Sequence, residues 1–262
     1  MSVVCLNGEL VDPAAATVPA DDPLARAGDG LIETMRARDG AVRARTRHMA
    51  RLAGSVAALG YAALDMALVE RDLDRVLAAA GPGDLRVRTC VSPSGLRWTE
   101  AVPTSALSPA PRLVTAMTVP GGWVPSWWPA QHKTASRAHH AHSARLVRAA
   151  GMDTALLLDG AGRMGEALHA SVFVVSDGET LTAPVRGILP GVGRALVREL
   201  MPEVVERAAD REAWQRASAV FVVSALAGVG AVVAIDDAEV GAGTPGPVTR
   251  RAAGLFAAHS PG

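Results

Sequence analysis

Lys133 is the only lysine in a chain of 262 residues that carries 26 lysines and arginines together. Arginine keeps its proton at any working pH. A desolvated lysine can lose its proton and then act as a base or as an amine that captures a carbonyl. The stretch His132-Lys133-Thr134-Ala135-Ser136-Arg137 is therefore the first candidate for chemistry. Composition alone reads the same lysine as a chance survivor among arginines. Three further groups invite a role. His139, His140 and His142 follow closely, but His139 and His142 stand three apart with no obvious third ligand, so no metal is expected. Cys5 and Cys90 form neither a disulfide framework nor a metal-ligand pattern. Arg51 lies beside Leu52, off the apolar stripe of its segment, and reads locally as a solvated helix residue.

The surrounding chain must hold these residues. Apolar residues make up 49% of it, mostly Ala, Val and Leu. No run approaches the roughly 18 apolar residues of a membrane helix. The start, Met1-Ser2-Val3-Val4-Cys5, lacks the basic and apolar regions of a secretory leader. The formal net charge is zero, with the two signs interspersed, which argues against a nucleic-acid surface. These features predict a cytoplasmic, globular protein with neither a nucleic-acid nor a membrane partner.

The pattern predicts an α+β chain. Val3 to Val11 reads as a hairpin around Asn7-Gly8, and Leu31 to Arg38 as a strand turned back by Asp39-Gly40. Two helices follow, from Thr46 or Arg47 to Gly60 and from about Ala63 to Ala80, then strands at Leu85 to Val91 and Pro109 to Val119. The Pro-, Gly- and Trp-rich residues 120–130 read as a connection between domains. A helix is expected from about Ser136 to Ala150. Apolar strands are expected at Thr154 to Leu158, Ser171 to Val175, Val220 to Val223 and Ala231 to Ile235, with a helix over Arg194 to Leu200 and another from about Val248. The predicted domains are residues 1–119 (small, α/β), the connection 120–130, and residues 131–262 (larger, β-rich).

Taken together, six blocks in order resemble the fold-type IV pyridoxal-phosphate enzymes, which include aminodeoxychorismate lyase, D-amino acid transaminase and the branched-chain aminotransferases. They are Gly28-Asp29-Gly30-Leu31-Ile32-Glu33-Thr34, His48-Met49-Ala50-Arg51-Leu52, Lys133 to Arg137, Ala155-Leu156-Leu157-Leu158-Asp159 through Glu166, Ile188 to Arg194, and Val222-Val223-Ser224. The resemblance covers essentially the whole chain. It implies pyridoxal 5'-phosphate held as a Schiff base on Lys133, with Glu166 against the pyridine nitrogen. Read locally, Glu166 is a turn carboxylate. The resemblance also implies a phosphate site built from Arg51, Val192, Gly193, Ser224 and Ala225. Many relatives carry threonine where Gly193 stands, which removes one side-chain bond to phosphate.

Within the family, Glu33-Thr34, the Lys-Thr-x-x-Arg sequence ending at Arg137, and the short length lean towards a lyase that converts 4-amino-4-deoxychorismate to p-aminobenzoate and pyruvate. Thr89-Cys90-Val91-Ser92 replaces a common Ser/Thr-Arg-Gly, and Ser136 a common asparagine, so the substrate side differs. The alternative is an aminotransferase on a branched-chain, D- or other small amino acid. A third reading is a non-catalytic relative, against which Lys133 and Glu166 stand. Arg86, Arg88, Arg97, Thr34 and Arg137 are candidates to touch an amine or amino-acid substrate. Trp123, Trp127 and Trp128 either wall the substrate pocket or pack between domains. The only tyrosine, Tyr61, is expected between helices and away from the cofactor. The resemblance implies a homodimer.

Overall fold

The computed structural model describes residues 2–259. It divides into two compact units, one running to Ala106 and taking back His132–Arg137, the other comprising Leu107–Gln131 and Ala138–His259.

In the first unit, β1 (Val3–Leu6), β2 (Glu9–Val11), β3 (Leu31–Arg38), β4 (Ala41–Val42), β5 (Asp84–Val91) and β6 (Arg97–Pro103) form one sheet in the order β2-β1-β6-β5-β3-β4. All of its pairings are antiparallel. The hairpin turns at Asn7-Gly8 (φ 51 and 93) and Asp39-Gly40 (φ 49 and 82) both need positive φ at two successive residues. Asn-Gly and Asp-Gly supply that at little steric cost. Strand alternation then sorts the faces. Met35, Ala37, Leu85, Val87 and Ala101 pack against Leu73, Val76 and Leu77 of α3 (Met66–Ala80). Each buried Leu, Val or Met among them contributes roughly 1.5–3 kcal/mol. Thr34, Arg36, Arg86, Arg88 and Glu100 alternate to the other face. Asp65 caps α3 by accepting the Ala67 N–H at 2.8 Å. Short α1 (Pro23–Ala27) leads to the Gly-Asp-Gly turn, and α2 (Arg45–Leu59) carries the His48 and Arg51 side chains.

The second unit is built on β7 (Arg112–Val119), β8 (Thr154–Leu158), β9 (Met164–Ala167), β10 (Ser171–Ser176), β11 (Glu179–Thr182), β12 (Val205–Glu206), β13 (Ala219–Ser224), β14 (Gly228–Ile235) and β15 (Ala238–Glu239). Its order is β12-β11-β10-β13-β14-β7-β8-β9, with β15 on β14. Strand β7 runs parallel to both β14 and β8. Helices α4 (Ala138–Ala149), α5 (Val192–Leu200), α6 (Arg211–Gln215) and α7 (Pro247–Ala258) complete this unit. Strand β10 is buried along its whole length, and Phe173 stacks on Phe221 with ring centroids 4.8 Å apart.

The two-part α+β organisation follows the prediction, but the division does not fall at 119/120. Strand β7 is hydrogen-bonded into the second sheet, so the change of unit comes between Ala106 and Leu107. Residues 132–137, expected in the second domain, lie with the first. Strand β6, α1 and α6 are additions to the predicted elements, and α5 opens at Val192 rather than Arg194. Among the described residues, no helix is long and apolar enough to cross a membrane.

Candidate active site

The lysine segment is tied along β3. The Ile32 N–H donates to the Lys133 carbonyl and the Ala135 N–H to the Gly30 carbonyl, each at 2.8 Å, and Leu31 bridges Thr134. The packing of α1 and the end of β5 around position 30 needs glycine there. A Cβ there would lie 2.7 Å from Leu24 Cδ1 and 2.8 Å from the Val91 carbonyl oxygen. One residue before the lysine, His132 Nδ1 meets Ser55 Oγ at 3.0 Å. Burial, then repulsion from Arg137 and Arg51, pushes the Lys133 amine down to about 8, while Glu33 pulls it up and Arg88 adds to the repulsion. A neutral amine is therefore available near neutral pH.

Beside it lies a group that the sequence left without a role. Glu33 is 1% exposed. Arg51 donates to Glu33 through Nε at 2.8 Å and Nη2 at 2.7 Å, and His48 Nδ1 lies 2.8 Å from Glu33 Oε2. Burial opposes ionisation of Glu33, but the bonds from His48 and Arg51 outweigh it and hold the carboxyl at about 2. The available signal was spacing: His48 and Arg51 are three apart and share a helix face, and Glu33 sits one residue beyond Ile32. Arg51 is thus an ion-paired residue of the site, not a solvated one. Tyr61 directs its hydroxyl to Asp29 Oδ1 at 2.5 Å, closing α2 onto the Gly-Asp-Gly turn.

The candidate substrate residues separate. Arg86 pairs with Glu100 at 3.0 Å, and Arg97 with Asp72 at 2.8 Å. Arg88 stands opposite Thr34 in the β3–β5 register, and its Nε is buried without a hydrogen-bond partner. Cys90, two residues on along the same face, is buried. Of the three strand arginines, Arg88 is the one whose charge reaches Lys133. Arg137 is half-buried and repels the amine most among the charged groups.

In the second unit, Glu166 lies on β9 opposite Leu157 and accepts the Leu189 N–H at 3.4 Å. Gly191 caps α5 without a side-chain hydrogen bond, so the helix opens on backbone donors at Val192 and Gly193. A Cβ at Gly193 would lie 3.0 Å from Val223 Cγ1, 3.3 Å from the Ser224 carbonyl carbon and 3.4 Å from the Ala225 nitrogen. The missing side chain is what lets the helix start close on the Ser224-Ala225 turn. Ser224 Oγ accepts the Ala227 N–H at 3.0 Å within that turn. Trp123 is buried with Leu157 and Ile188 in this unit's core and donates to the Arg186 carbonyl at 3.0 Å. Trp127 and Trp128 are 44% and 58% exposed. His139 lies edge-on to Trp127 and next to His140, which stacks on His169. No cluster of three metal-ligating side chains occurs among the described residues.

Known proteins share this organisation. The model of the family described as amino-transferase class IV matches residues 30–235. A probable branched-chain-amino-acid aminotransferase of Aquifex aeolicus is 35% identical over 107 residues, covering 38% of this chain and 34% of that one. Branched-chain-amino-acid aminotransferase-like protein 2 of Arabidopsis thaliana is 26% identical over 273 residues, covering 94% and 48%. These matches span between about a third and a half of the curated relatives' length. A crystal structure of the branched-chain aminotransferase of Thermoproteus uzoniensis with norvaline is 26% identical, with a TM-score of 0.80 and coverage of 97% and 93%. With the match extending over most of its length, the chain belongs to the class IV aminotransferases, a family that uses pyridoxal 5'-phosphate.

Proposed function

We propose that the chain is a pyridoxal-phosphate-dependent aminotransferase acting on a small amino acid, with aliphatic, branched-chain side chains as the leading class, and that it works as a cytoplasmic homodimer. The observation that carries the cofactor part of this reading is the setting of Lys133, a sole lysine tied along β3 by backbone hydrogen bonds, with burial and arginine neighbours pushing its amine down to about 8. The residues fit the cofactor. Lys133 offers an amine that can lose its proton, and the uncapped α5 start packed on Ser224-Ala225 offers backbone donors for a phosphate. The names of the relatives favour transamination over the lyase reading that the sequence motifs put first. The Glu33-Thr34 and Lys133–Arg137 motifs keep the lyase as the second reading.

When bound, the cofactor supplies an electron sink for a carbanion beside its ring. The protein's part is then specific. Lys133 would hold the cofactor aldehyde and, once displaced by the substrate amine, carry a proton between substrate carbon and cofactor. Glu166 would keep the pyridine nitrogen protonated. Val192, Gly193, Ser224 and Ala225 would bind phosphate through backbone and hydroxyl donors, and Arg51 would add a guanidinium. Arg88 would take the substrate carboxylate, with Thr34 and Arg137 beside it.

Single-turnover spectroscopy on the cofactor-loaded protein tests this. An aliphatic amino acid should convert the bound cofactor to its amine form, and a keto acid should reverse the change. Lys133→Ala should slow both half-reactions by about a thousandfold or more. Release of pyruvate and p-aminobenzoate from aminodeoxychorismate, with no amino acid reacting, would overturn transamination in favour of the lyase.

A further inference from the structure

One buried carboxylate beside Lys133 has no part in the chemistry just described. Arg51 grips both oxygens of Glu33 with a planar fork, at 2.8 and 2.7 Å. His48 adds a third hydrogen bond at 2.8 Å. His48 is itself 1% exposed, and its Nε2 is buried with no hydrogen-bond partner. Its ring therefore serves Glu33 through Nδ1, which a carboxylate acceptor requires to carry the proton. Backbone and side-chain bonds tie this cluster to the lysine at two points. Ile32, the residue before Glu33, donates its N–H to the Lys133 carbonyl at 2.8 Å. Ser55, about one turn after Arg51 on α2, meets His132 at 3.0 Å.

We propose that Glu33 is a positioning residue for cofactor capture: it aims the Arg51 guanidinium and balances its charge beside the Lys133 amine, with His48 as the brace. The inference rests on the reading that Lys133 captures pyridoxal phosphate. A carboxylate locked to a guanidinium does two things at once. It fixes the fork's plane, which a phosphate ligand needs, and it offsets a positive charge that would otherwise drive protons off the lysine. The opposed influences of Glu33 and Arg51 on the Lys133 amine match that second effect.

The test uses apoprotein titrated with pyridoxal phosphate and with pyridoxal, which carries the same aldehyde without phosphate, between about pH 6 and 10. Captured aldehyde is fixed with borohydride and located by peptide mass. In Glu33→Gln the pH midpoint of capture should fall by roughly one unit for both aldehydes. The preference for the phosphorylated form should shrink about tenfold, as expected for one misdirected charged hydrogen bond. Glu33→Asp keeps the charge but withdraws it by one methylene, so it should hold the midpoint and still lose the preference. An unchanged midpoint and preference in Glu33→Gln would overturn the proposal, whatever happens to the melting temperature. If Glu33→Gln does not fold, an undiminished preference in Glu33→Asp overturns it. Wild-type protein that fixes nothing at residue 133 would overturn the underlying reading and the proposal with it, and that result appears before any variant is compared.

Discussion

Arg86 and Arg88 are two residues apart on one face of one strand, and each buries its Nε without a hydrogen-bond partner, but only Arg86 also holds a carboxylate. Arg86 has Glu100 at 3.0 Å and is 39% exposed, the kind of pair worth at most about 1 kcal/mol. Arg88 buries the same atom with no carboxylate beside it to offset the cost, which leaves an unrecovered desolvation penalty in the unliganded protein. Arg88→Met should therefore leave the apoprotein's denaturation midpoint unchanged or raise it. The same change should increase KM for the amino acid by about ten- to a hundredfold, the scale of one lost charged hydrogen bond. Arg86→Met should leave KM within about twofold. Steady-state kinetics alongside urea melts of both variants check this, and a Arg88→Met protein that loses stability but keeps its KM would make Arg88 structural. The sequence put the two arginines on one strand face but could not rank them, because the difference lies in Glu100, which comes from a strand absent from the sequence reading.

At the scale of elements, local chemistry was legible and distant pairing was not. The turns at Asn7-Gly8, Asp39-Gly40 and Asp177-Gly178 are written in two adjacent residues, all with positive φ. Strand β6 depends on partners at β1 and β5, and nothing in Arg97 to Pro103 announces them. Strand β7 likewise joins the second sheet only through β8 and β14, which arrive later in the chain. The start of α5 was missed because Val192 and Gly193 are weak helix formers, and tertiary packing on Ser224 overrides that. The site blocks themselves were legible in order, and the reason for one glycine emerges from packing. Gly30 has no room for a methyl, since Leu24 and the Val91 carbonyl lie at 2.7 and 2.8 Å from where it would be. Gly30→Ala should destabilise the fold by about 1–3 kcal/mol through overpacking. Because the Gly30 carbonyl receives the Ala135 N–H, the variant should also retain less cofactor than wild type after gel filtration. A variant that melts lower yet retains the cofactor fully would separate the glycine from the lysine segment.

Across the whole molecule, hydrogen-bonded carboxylates, buried at Glu33, Asp22 and Asp159 and exposed at Glu206, set the direction in which pH acts on stability. Glu33 lies at about 2 because the His48 and Arg51 bonds overcome its burial. Asp22 is lowered too, against burial, by the Ser94 and Ser92 hydroxyls and the Leu24 N–H. In the second unit, Asp159 is lowered, again against burial, by Arg163 and Ala161, and Glu206 by its hydrogen bond from Arg194. In each case the native state binds fewer protons than the unfolded chain. The stabilisation is therefore complete above the ordinary carboxylate range and lost as pH falls through it towards about 2. Lys133 acts in the same sense at the other end. Its folded value, near 8, is below the ordinary lysine value of 10.5, so apoprotein should gain stability as pH rises between the two. Urea midpoints of the apoprotein should be level from about pH 5 to 8, fall steeply below about 4.5, and rise modestly above 8. Lys133→Met should flatten the alkaline rise and leave the acid fall in place, while Asp22→Asn should make the acid fall shallower. An acid limb that stays level down to about pH 3 would mean that these carboxylates are no better held in the native state than in the unfolded chain.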